Sequence, residues 1–143
     1  MFQPLVADTG TRIVARLEPE AEAAFDPDAL RQVLLNLLDN AAKYGPRGQE
    51  IVVGIESSTG ATRLFVEDQG PGIPEAERER VFDRFYRLPR EGASPTAGTG
   101  IGLSVVRDLV TRHGGRTYVE AASSGGSRFV VELPAPRFEE PRG

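Results

Sequence analysis

The chain contains no cysteine. This absence excludes disulfide bonds, thiol catalysis and thiolate metal sites, and it fits a reducing compartment such as the cytoplasm. The sequence also lacks a signal peptide and any apolar run near the eighteen residues that a membrane-spanning helix needs. We therefore expect a soluble, cytoplasmic domain, which leaves open whether the parent protein is anchored in the inner or plasma membrane.

Positive charge is also in short supply, since the net charge is −4. An acidic balance argues against a general nucleic-acid or anionic-membrane surface. The length of 143 residues, with 39% hydrophobic and 27% charged residues, fits one globular domain. We predict that this domain covers residues 11–133, after a connector at 1–10 and before a flexible, proline-containing tail at 134–143.

Residues 26–44 are predicted to form an amphipathic helix, with Asp26 as N-cap and Pro27 at the first helical position. Its apolar stripe follows helical spacing and consists of Leu30, Val33, Leu34, Leu37, Leu38 and Ala41. Asn36, Asn40 and Lys43 cluster on one flank of that stripe, at the border of the core. Two carboxamides and an ammonium group in this place suit a metal ion and phosphates. From spacing alone, an ordinary polar helix flank is an equally good explanation.

A second notable stretch, Asp68-Gln-Gly-Pro-Gly72, follows a predicted strand. Leu64 and Val66 share one face of that strand, and alternation places Asp68 on the same, buried face. A buried carboxylate needs a hydrogen-bond donor. No immediate neighbour is an obvious donor, so we predict that an amino group of a ligand supplies one. The alternative is a surface turn, in which Gly and Pro are common.

The remaining pattern predicts a sheet covered by helices. Alternation and turn residues predict strands at 11–18, 23–25, 50–56, 61–67, 116–122 and 127–133, a short helix at 74–80 and a longer helix at 100–113. In the longer helix we expect these residues to face inward: Ile101, Val105, Leu109 and Val110. Residues 87–99 have the composition of a mobile loop. Because the strands join mainly as hairpins, the expected fold class is an α+β two-layer sandwich, a mostly antiparallel mixed sheet covered on one face by helices.

Five motifs resemble those of the histidine-kinase ATP-binding domain of the GHKL superfamily, and they occur in that family's order. Asn36-Leu-Leu-Asp-Asn40-Ala-Ala-Lys-Tyr44 resembles the N box, and Asp68-Gln-Gly-Pro-Gly72 the first glycine box. The other three are an F box at Val81-Phe-Asp-Arg-Phe-Tyr-Arg87, a second glycine box at Gly98-Thr-Gly-Ile-Gly102-Leu, and a third at Gly125-Gly126. Together they cover nearly the whole chain. The resemblance implies the Bergerat ATP-binding fold, with ATP and Mg²⁺ as cofactors.

The resemblance also implies roles for the residues of the N box. Asn40 would hold Mg²⁺ through its amide oxygen, a hard ligand suited to that ion. Asn36 would support the metal and the phosphates, and Lys43 would contact phosphate oxygens as a point charge. Asn36 and Lys43 are the implied catalytic residues. Tyr44 would pack on the nucleotide.

The glycine boxes would complete the nucleotide site. Asp68 would accept the exocyclic amine of adenine, Gly70 and Gly72 would let the backbone approach the base, and Ile73 would add an apolar wall. The amides at a helix start form an anion site, so the triphosphate would be capped by Gly98, Thr99, Gly100, Ile101, Gly102 and Leu103. Phe82 and Phe85 are expected to pack rather than to touch ligand.

The implied function is a protein histidine kinase of a two-component system. It would transfer the γ-phosphate to a histidine on a separate dimerisation and phosphoacceptor domain, with a response regulator downstream and no nucleic acid among its partners. His113, which ends a predicted helix before Gly114, is expected to cap that helix and not to be the acceptor. Without the acceptor domain we expect a monomer.

Three alternatives remain within this fold. They are a degenerate ATP-binding interaction module, a serine kinase of the anti-sigma type, and a water-splitting ATPase. Asn36 argues against the last, because the water-splitting relatives carry Glu at the matching position and an amide cannot act as a general base. The F-box-like stretch favours a sensor kinase over the anti-sigma type.

Overall fold

A computed structural model describes residues 12–17, 26–44, 46, 48–58, 60–84, 102–123 and 125–134. The predicted connector, the strand at 23–25, the loop at 87–99, Phe85 and the tail beyond residue 134 lie outside these residues. None of the helices among the described residues is long and apolar enough to cross a membrane.

Helix α1 spans Pro27–Tyr44, close to the predicted range. The Asp26 carboxylate accepts a hydrogen bond from the Ala29 N–H at 2.9 Å, so Asp26 is the N-cap that the sequence predicts. The predicted stripe is the buried one: Val33, Leu37, Leu38 and Ala41 are at most 1% exposed, and Leu30 and Leu34 pack at the edge of the core.

Helix α2 spans Gly102–Arg112, and its inward face differs from the prediction. Val106 and Val110 are fully buried, whereas Val105 is only half-buried and lies outside the core cluster. Leu103 and Leu109 pack against the core, so the buried stripe follows i, i+3, i+6 and i+7 from Leu103. The prediction of Val105 as an inward residue is therefore wrong, because packing turns the face of Leu103 and Val106 toward the core. Ile101 lies outside the described residues.

The described strands are β1 (Arg12–Leu17), β2 (Glu50–Ser58), β3 (Ala61–Glu67), β4 (Arg116–Ala121) and β5 (Ser127–Pro134). They form one sheet in the order β1-β2-β3-β5-β4. β1 pairs with β2 in parallel, and the other three pairings are antiparallel. The sheet is therefore mixed and mostly antiparallel, as predicted. The predicted short helix at 74–80 is instead a pair of 3₁₀ helices, Glu75–Glu77 and Arg80–Phe82.

One face of the sheet packs against the helices. The strand register aligns Val53, Val66 and Phe129 across β2, β3 and β5, and these side chains belong to or pack against the core. Phe82 meets the Phe129 ring edge-on, with centroids 6.2 Å apart and an interplanar angle of 77°. Phe82 is 3% exposed, which confirms its predicted packing role. The architecture is the predicted α+β two-layer sandwich.

The opposite face of the sheet carries a network of charges. Arg63 and Arg116 lie 3.4 and 3.2 Å from the Glu132 carboxylate. Partial burial raises the pKa of Glu132, but the hydrogen bond and charge of Arg116, with the charge of Arg63, lower that pKa by more, so it lies below its ordinary value. The guanidinium of Arg128 stacks 3.9 Å from the centre of the Phe65 ring. Among the described residues, this face therefore carries ion pairs and a cation–π contact, and both described α-helices pack on the other face.

Candidate functional site

The polar flank of α1 lies where the sequence places it, at the border of the core. Asn36 and Asn40 are half-buried and Lys43 is exposed. The Asn36 Nδ2 donates to the Gly102 carbonyl at 3.1 Å, and its Oδ1 accepts from the Gln32 Nε2 at 2.8 Å. The structure therefore brings the N box into contact with the last glycine of the second glycine box, at the start of α2.

The two other polar residues of this flank have different surroundings. The Lys43 ammonium lies 3.1 Å from the Asp39 carboxylate, one turn earlier on the same helix. Such exposed pairs contribute only about 0.3–0.5 kcal/mol, so an anionic ligand can displace Asp39 at small cost. The structure shows no polar partner for the Asn40 amide among the described residues, and its oxygen suits a hard cation.

Asp68 is buried, with 4% of its surface exposed, as alternation predicts. The expectation that its neighbours supply no donor is wrong. Its Oδ1 accepts from the Gly70 N–H at 2.9 Å and from the Ser127 N–H at 3.0 Å. The Asp68 N–H also donates to the Ser127 carbonyl at 2.9 Å. The carboxylate is thus held in one orientation by two backbone donors.

The glycines of the first and third boxes are required by backbone contact between the two loops. Gly72 has a φ of 81°, and a Cβ there would lie 2.9 Å from the Gly125 carbonyl oxygen. A Cβ on Gly126 would overlap the Asp68 carbonyl oxygen and lie 2.8 Å from its Oδ1. The close approach of these backbones positions the Asp68 carboxylate.

Gln49 is a residue of the site that the sequence reasoning missed. It is 2% exposed, and its Nε2 donates to the Ala41 carbonyl in the last turn of α1 at 2.8 Å. Its Oε1 accepts from the Gln69 N–H at 3.0 Å. Gln49 thereby joins the turn that contains Asn40 to the loop that begins with Asp68. A lone Gln in a Gly-containing turn has no sequence pattern that predicts this bridge.

The other predicted site residues are only partly placed. Gly98, Thr99, Gly100, Ile101 and the side chain of Tyr44 lie outside what the structure describes. Gly102 and Leu103 form the first turn of α2. Ile73 is 9% exposed and belongs to the core cluster.

His113 has the structural role that the sequence predicts. Its Nδ1 lies 2.8 Å from the Leu109 carbonyl, and its Nε2 accepts from the Asp26 N–H at 3.4 Å. The ring therefore caps the end of α2 and ties it to the start of α1.

Comparison with known proteins identifies the class. Residues 25–137 match the model of the family described as histidine kinase-, DNA gyrase B- and HSP90-like ATPase. The chain belongs to this family of ATPase domains, and its fold is the Bergerat fold.

Within that family, the relatives found are sensor histidine kinases. The chain is 44% identical over 110 residues to the adaptive-response sensory kinase SasA of Nostoc sp., covering 76% of this chain and 27% of that protein. It is 46% identical over 114 residues to the histidine-protein kinase/phosphatase MprB of Mycobacterium sp. strain KMS, covering 76% of this chain and 22% of that protein. The chain therefore spans about a quarter of the length of these relatives.

Solved structures agree. A mycobacterial sensor histidine kinase MprB structure superposes with a TM-score of 0.78 at 30% identity, covering 94% of this chain and 95% of that one. Full-length ShkA in complex with AMPPNP superposes with a TM-score of 0.80 at 28% identity, covering 98% of this chain and 29% of that one. The similarity is thus to the histidine kinase catalytic domain.

Proposed function

We propose that this chain binds Mg·ATP and transfers the γ-phosphate to a histidine on a separate dimerisation and phosphoacceptor domain, as part of a two-component sensor kinase. The observation that carries the proposal is the buried Asp68 carboxylate, fixed by Gly70 and Ser127 N–H groups and joined through Gln49 to the polar flank of α1. Family membership and the AMPPNP complex of the similar ShkA support it, since AMPPNP is an analogue of ATP.

Adenine is the group that Asp68 would select. An ionised carboxylate only accepts hydrogen bonds, and the exocyclic amine of adenine is a donor. Gly72 leaves the loop backbone without a side chain at that point, and Gly70 does the same two residues earlier. Ile73 follows them, belongs to the core cluster with 9% of its surface exposed, and would contact the base as an apolar wall.

The phosphates and the metal would lie along the flank of α1 and the start of α2. Asn40 would offer its amide oxygen to Mg²⁺, which when bound neutralises charge on the phosphates. Among the described residues, Asn36 contacts only Gly102 and Gln32 through its amide, which leaves one amide hydrogen and one oxygen lone pair that could support the metal and the phosphates. Lys43 would exchange Asp39 for a phosphate oxygen.

The rest of the nucleotide site is expected from the resemblance. The amides at Gly102 and Leu103, with those of residues 98–101, would cap the triphosphate at the helix start. Tyr44 would pack on the nucleotide.

Transfer to a protein is favoured over hydrolysis by the chemistry of Asn36. Its amide does not titrate near neutrality and cannot take a proton from water. Phosphoryl transfer asks the protein mainly for positioning and charge neutralisation. The site would therefore retain ATP until an acceptor histidine approaches. A response regulator would then take the phosphoryl group from that histidine.

The test supplies the missing acceptor. The chain is mixed with radiolabelled Mg·ATP and the helical hairpin of its parent kinase, and the hairpin is examined for acid-labile, alkali-stable label. We expect label that disappears when the acceptor His is replaced by Gln.

Other outcomes of this experiment would contradict the proposal. ATP binding without label would indicate a degenerate interaction module, and acid-stable label on serine would indicate a kinase of the anti-sigma type. Release of inorganic phosphate at a high rate without acceptor would indicate a water-splitting ATPase. Absence of ATP binding would overturn the assignment of the site.

A further inference from the structure

We propose that Gln49 is a positioning residue that sets the spacing between the magnesium side and the adenine side of the site. The inference rests on the proposed function, because it assumes that Asn40 and Asp68 contact opposite ends of one nucleotide. Gln49 lies in neither of the motifs that contain those two residues. Its side-chain amide contacts the backbone next to each of them, at Ala41 and at Gln69.

The orientation of the Gln49 amide is determined by its backbone partners. The Ala41 carbonyl can only accept a hydrogen bond, so it must face the Nε2 group at 2.8 Å. The Gln69 N–H can only donate, so it must face Oε1 at 3.0 Å. A 180° flip of the amide would place acceptor against acceptor and donor against donor. The side chain is therefore a bridge of fixed length and direction, held at 2% exposure.

A second glutamine strengthens the same connection from the other side. The Gln69 Oε1 accepts from the Glu50 N–H at 2.8 Å, at the start of β2. Two hydrogen bonds thus join residue 69 to residues 49 and 50: the Gln49 side chain accepts from the Gln69 backbone N–H, and the Gln69 side chain accepts from the Glu50 backbone N–H. The loop that begins with Asp68 is thereby attached both to α1 and to the first residue of β2.

The bridge has a consequence for ligand binding. Ala41 follows Asn40 directly, and Gln69 follows Asp68 directly, so a change at Gln49 alters the separation of the two contact residues. A nucleotide that spans them binds best when this separation is fixed in advance, because no binding energy is then used to order the site. Displacements of about 1 Å can cost about 10²-fold in such arrangements.

Two variants separate the contributions of the amide. Gln49→Met preserves length and removes both hydrogen bonds. Gln49→Glu retains the acceptor for the Gln69 N–H but replaces the donor to Ala41 with a carboxylate oxygen. We expect each to weaken Mg·ATP binding at pH 8 by about 10- to 100-fold, the range typical of residues that orient metal ligands. Adenosine, which has no phosphate, is expected to lose less than about threefold, because it engages only the adenine side of the site.

The pH dependence of Mg·ATP binding by Gln49→Glu tests the donor role directly, because a general loss of stability would not produce it. Burial raises the pKa of a carboxyl group, and a protonated Glu at position 49 can again donate to Ala41. The measured quantity is the Kd of Gln49→Glu for Mg·ATP divided by the Kd of the wild-type chain at the same pH. This ratio should decrease as the pH is lowered from 8 to 5.5. The same ratio for Gln49→Met should stay constant.

The matched control is Leu133→Ala, a core change at the far end of β5. Leu133 is 2% exposed and lies six residues beyond Ser127, about 20 Å along the strand. It should lower the melting temperature at least as much as Gln49→Met and leave the Kd for Mg·ATP within about twofold. This comparison separates positioning from general destabilisation.

Hydrogen exchange in the wild-type chain gives a test that needs no variant. Gln69 is an exposed residue. Its backbone N–H should nevertheless exchange slowly, because it donates a hydrogen bond to the buried Gln49 Oε1.

The possible failures can be told apart. If the wild-type chain binds Mg·ATP but both Gln49 variants bind it equally well, or adenosine loses as much affinity as Mg·ATP, the positioning role is wrong and the proposed function stands. A pH-independent Gln49→Glu ratio would contradict the donor role toward Ala41. Fast exchange of the Gln69 N–H would overturn the bridge even if neither variant folds. Absence of Mg·ATP binding by the wild-type chain would overturn the proposed function, and the inference with it.

Discussion

Replacing Gly126 with Ala should disrupt the nucleotide site from a position that we do not expect to touch the ligand. The new Cβ would overlap the Asp68 carbonyl oxygen and lie 2.8 Å from both the carbonyl carbon and Oδ1. These atoms belong to backbone and to a buried carboxylate, so they cannot rotate away as the end of a flexible side chain would. Relief requires the turn of residues 125–127 and the Asp68 loop to separate.

The magnitude follows from two contributions. Overpacking costs about 1–3 kcal/mol. Separation also weakens the two hydrogen bonds between Asp68 and Ser127. The bond from the Ser127 N–H to the Asp68 carboxylate contributes about 1.5–3 kcal/mol, and the backbone bond from the Asp68 N–H to the Ser127 carbonyl about 0.5–1.5 kcal/mol. Partial relaxation gives a total of about 2–5 kcal/mol. For a chain of 143 residues, 1 kcal/mol corresponds to about 3 °C in Tm, so the expected decrease is about 6–15 °C.

The assay pairs thermal unfolding, followed by circular dichroism, with calorimetric titration of Mg·ATP. Gly125→Ala is the matched control, because its added Cβ has open space although its φ is 98°. That variant should lose only about 1–2 kcal/mol of stability, the cost of a left-handed backbone conformation at Ala, and should retain most of its affinity for Mg·ATP. If Gly126→Ala has the same Tm and the same affinity for Mg·ATP as Gly125→Ala, the close packing of the two glycine loops does not position Asp68.

Three further predictions concern single side chains. Asp68→Asn keeps an oxygen for the backbone donors but places an amide NH₂ donor toward the ligand side, so the chain should fold while ATP affinity falls by at least about tenfold, measured by titration. Asn40→Ala should leave metal-free ATP binding nearly unchanged and remove most of the gain in affinity that Mg²⁺ confers, measured by titrating Mg²⁺ at fixed ATP. Glu132 has a lowered pKa in the folded state, so its stabilising contribution is present above pH ~4.3 and is lost as the pH falls through the folded value. Glu132→Gln should therefore make the free energy of unfolding less dependent on pH in that acidic range, as urea titrations at successive pH values would show.

Each of these predictions has an outcome that contradicts it. Unchanged ATP affinity in Asp68→Asn would remove Asp68 from the adenine pocket. An unaltered magnesium titration in Asn40→Ala would assign the metal to other ligands. Parallel stability curves for Glu132→Gln and the wild-type chain below pH ~4.3 would mean that the contacts with Arg116 and Arg63 do not persist in solution.

Much of the fold could be predicted because its causes are local. The buried stripe of α1, the Asp26 cap and the strand alternation around Leu64 and Val66 are properties of neighbouring residues. Asp68 could be placed on the buried face for the same reason. The side chains of Asn36, Asn40 and Lys43 could be grouped because helical spacing alone determines which residues share a flank.

The tertiary structure decided what depends on distant partners. Ser127, 59 residues away in sequence, supplies one of the two backbone donors to Asp68, and the Gly102 carbonyl, 66 residues from Asn36, accepts from its amide. Packing in the fold makes Val106 and not Val105 the buried residue of α2. Gln49 acquired its role because a turn happens to place its amide between two backbones. The sequence by itself therefore determined the elements whose pattern is local: the buried stripe and cap of α1, and the strand alternation that buries Asp68. The donor that meets each buried polar group was decided by the folded backbone, because hydrogen bonds depend on distances that only the assembled chain defines.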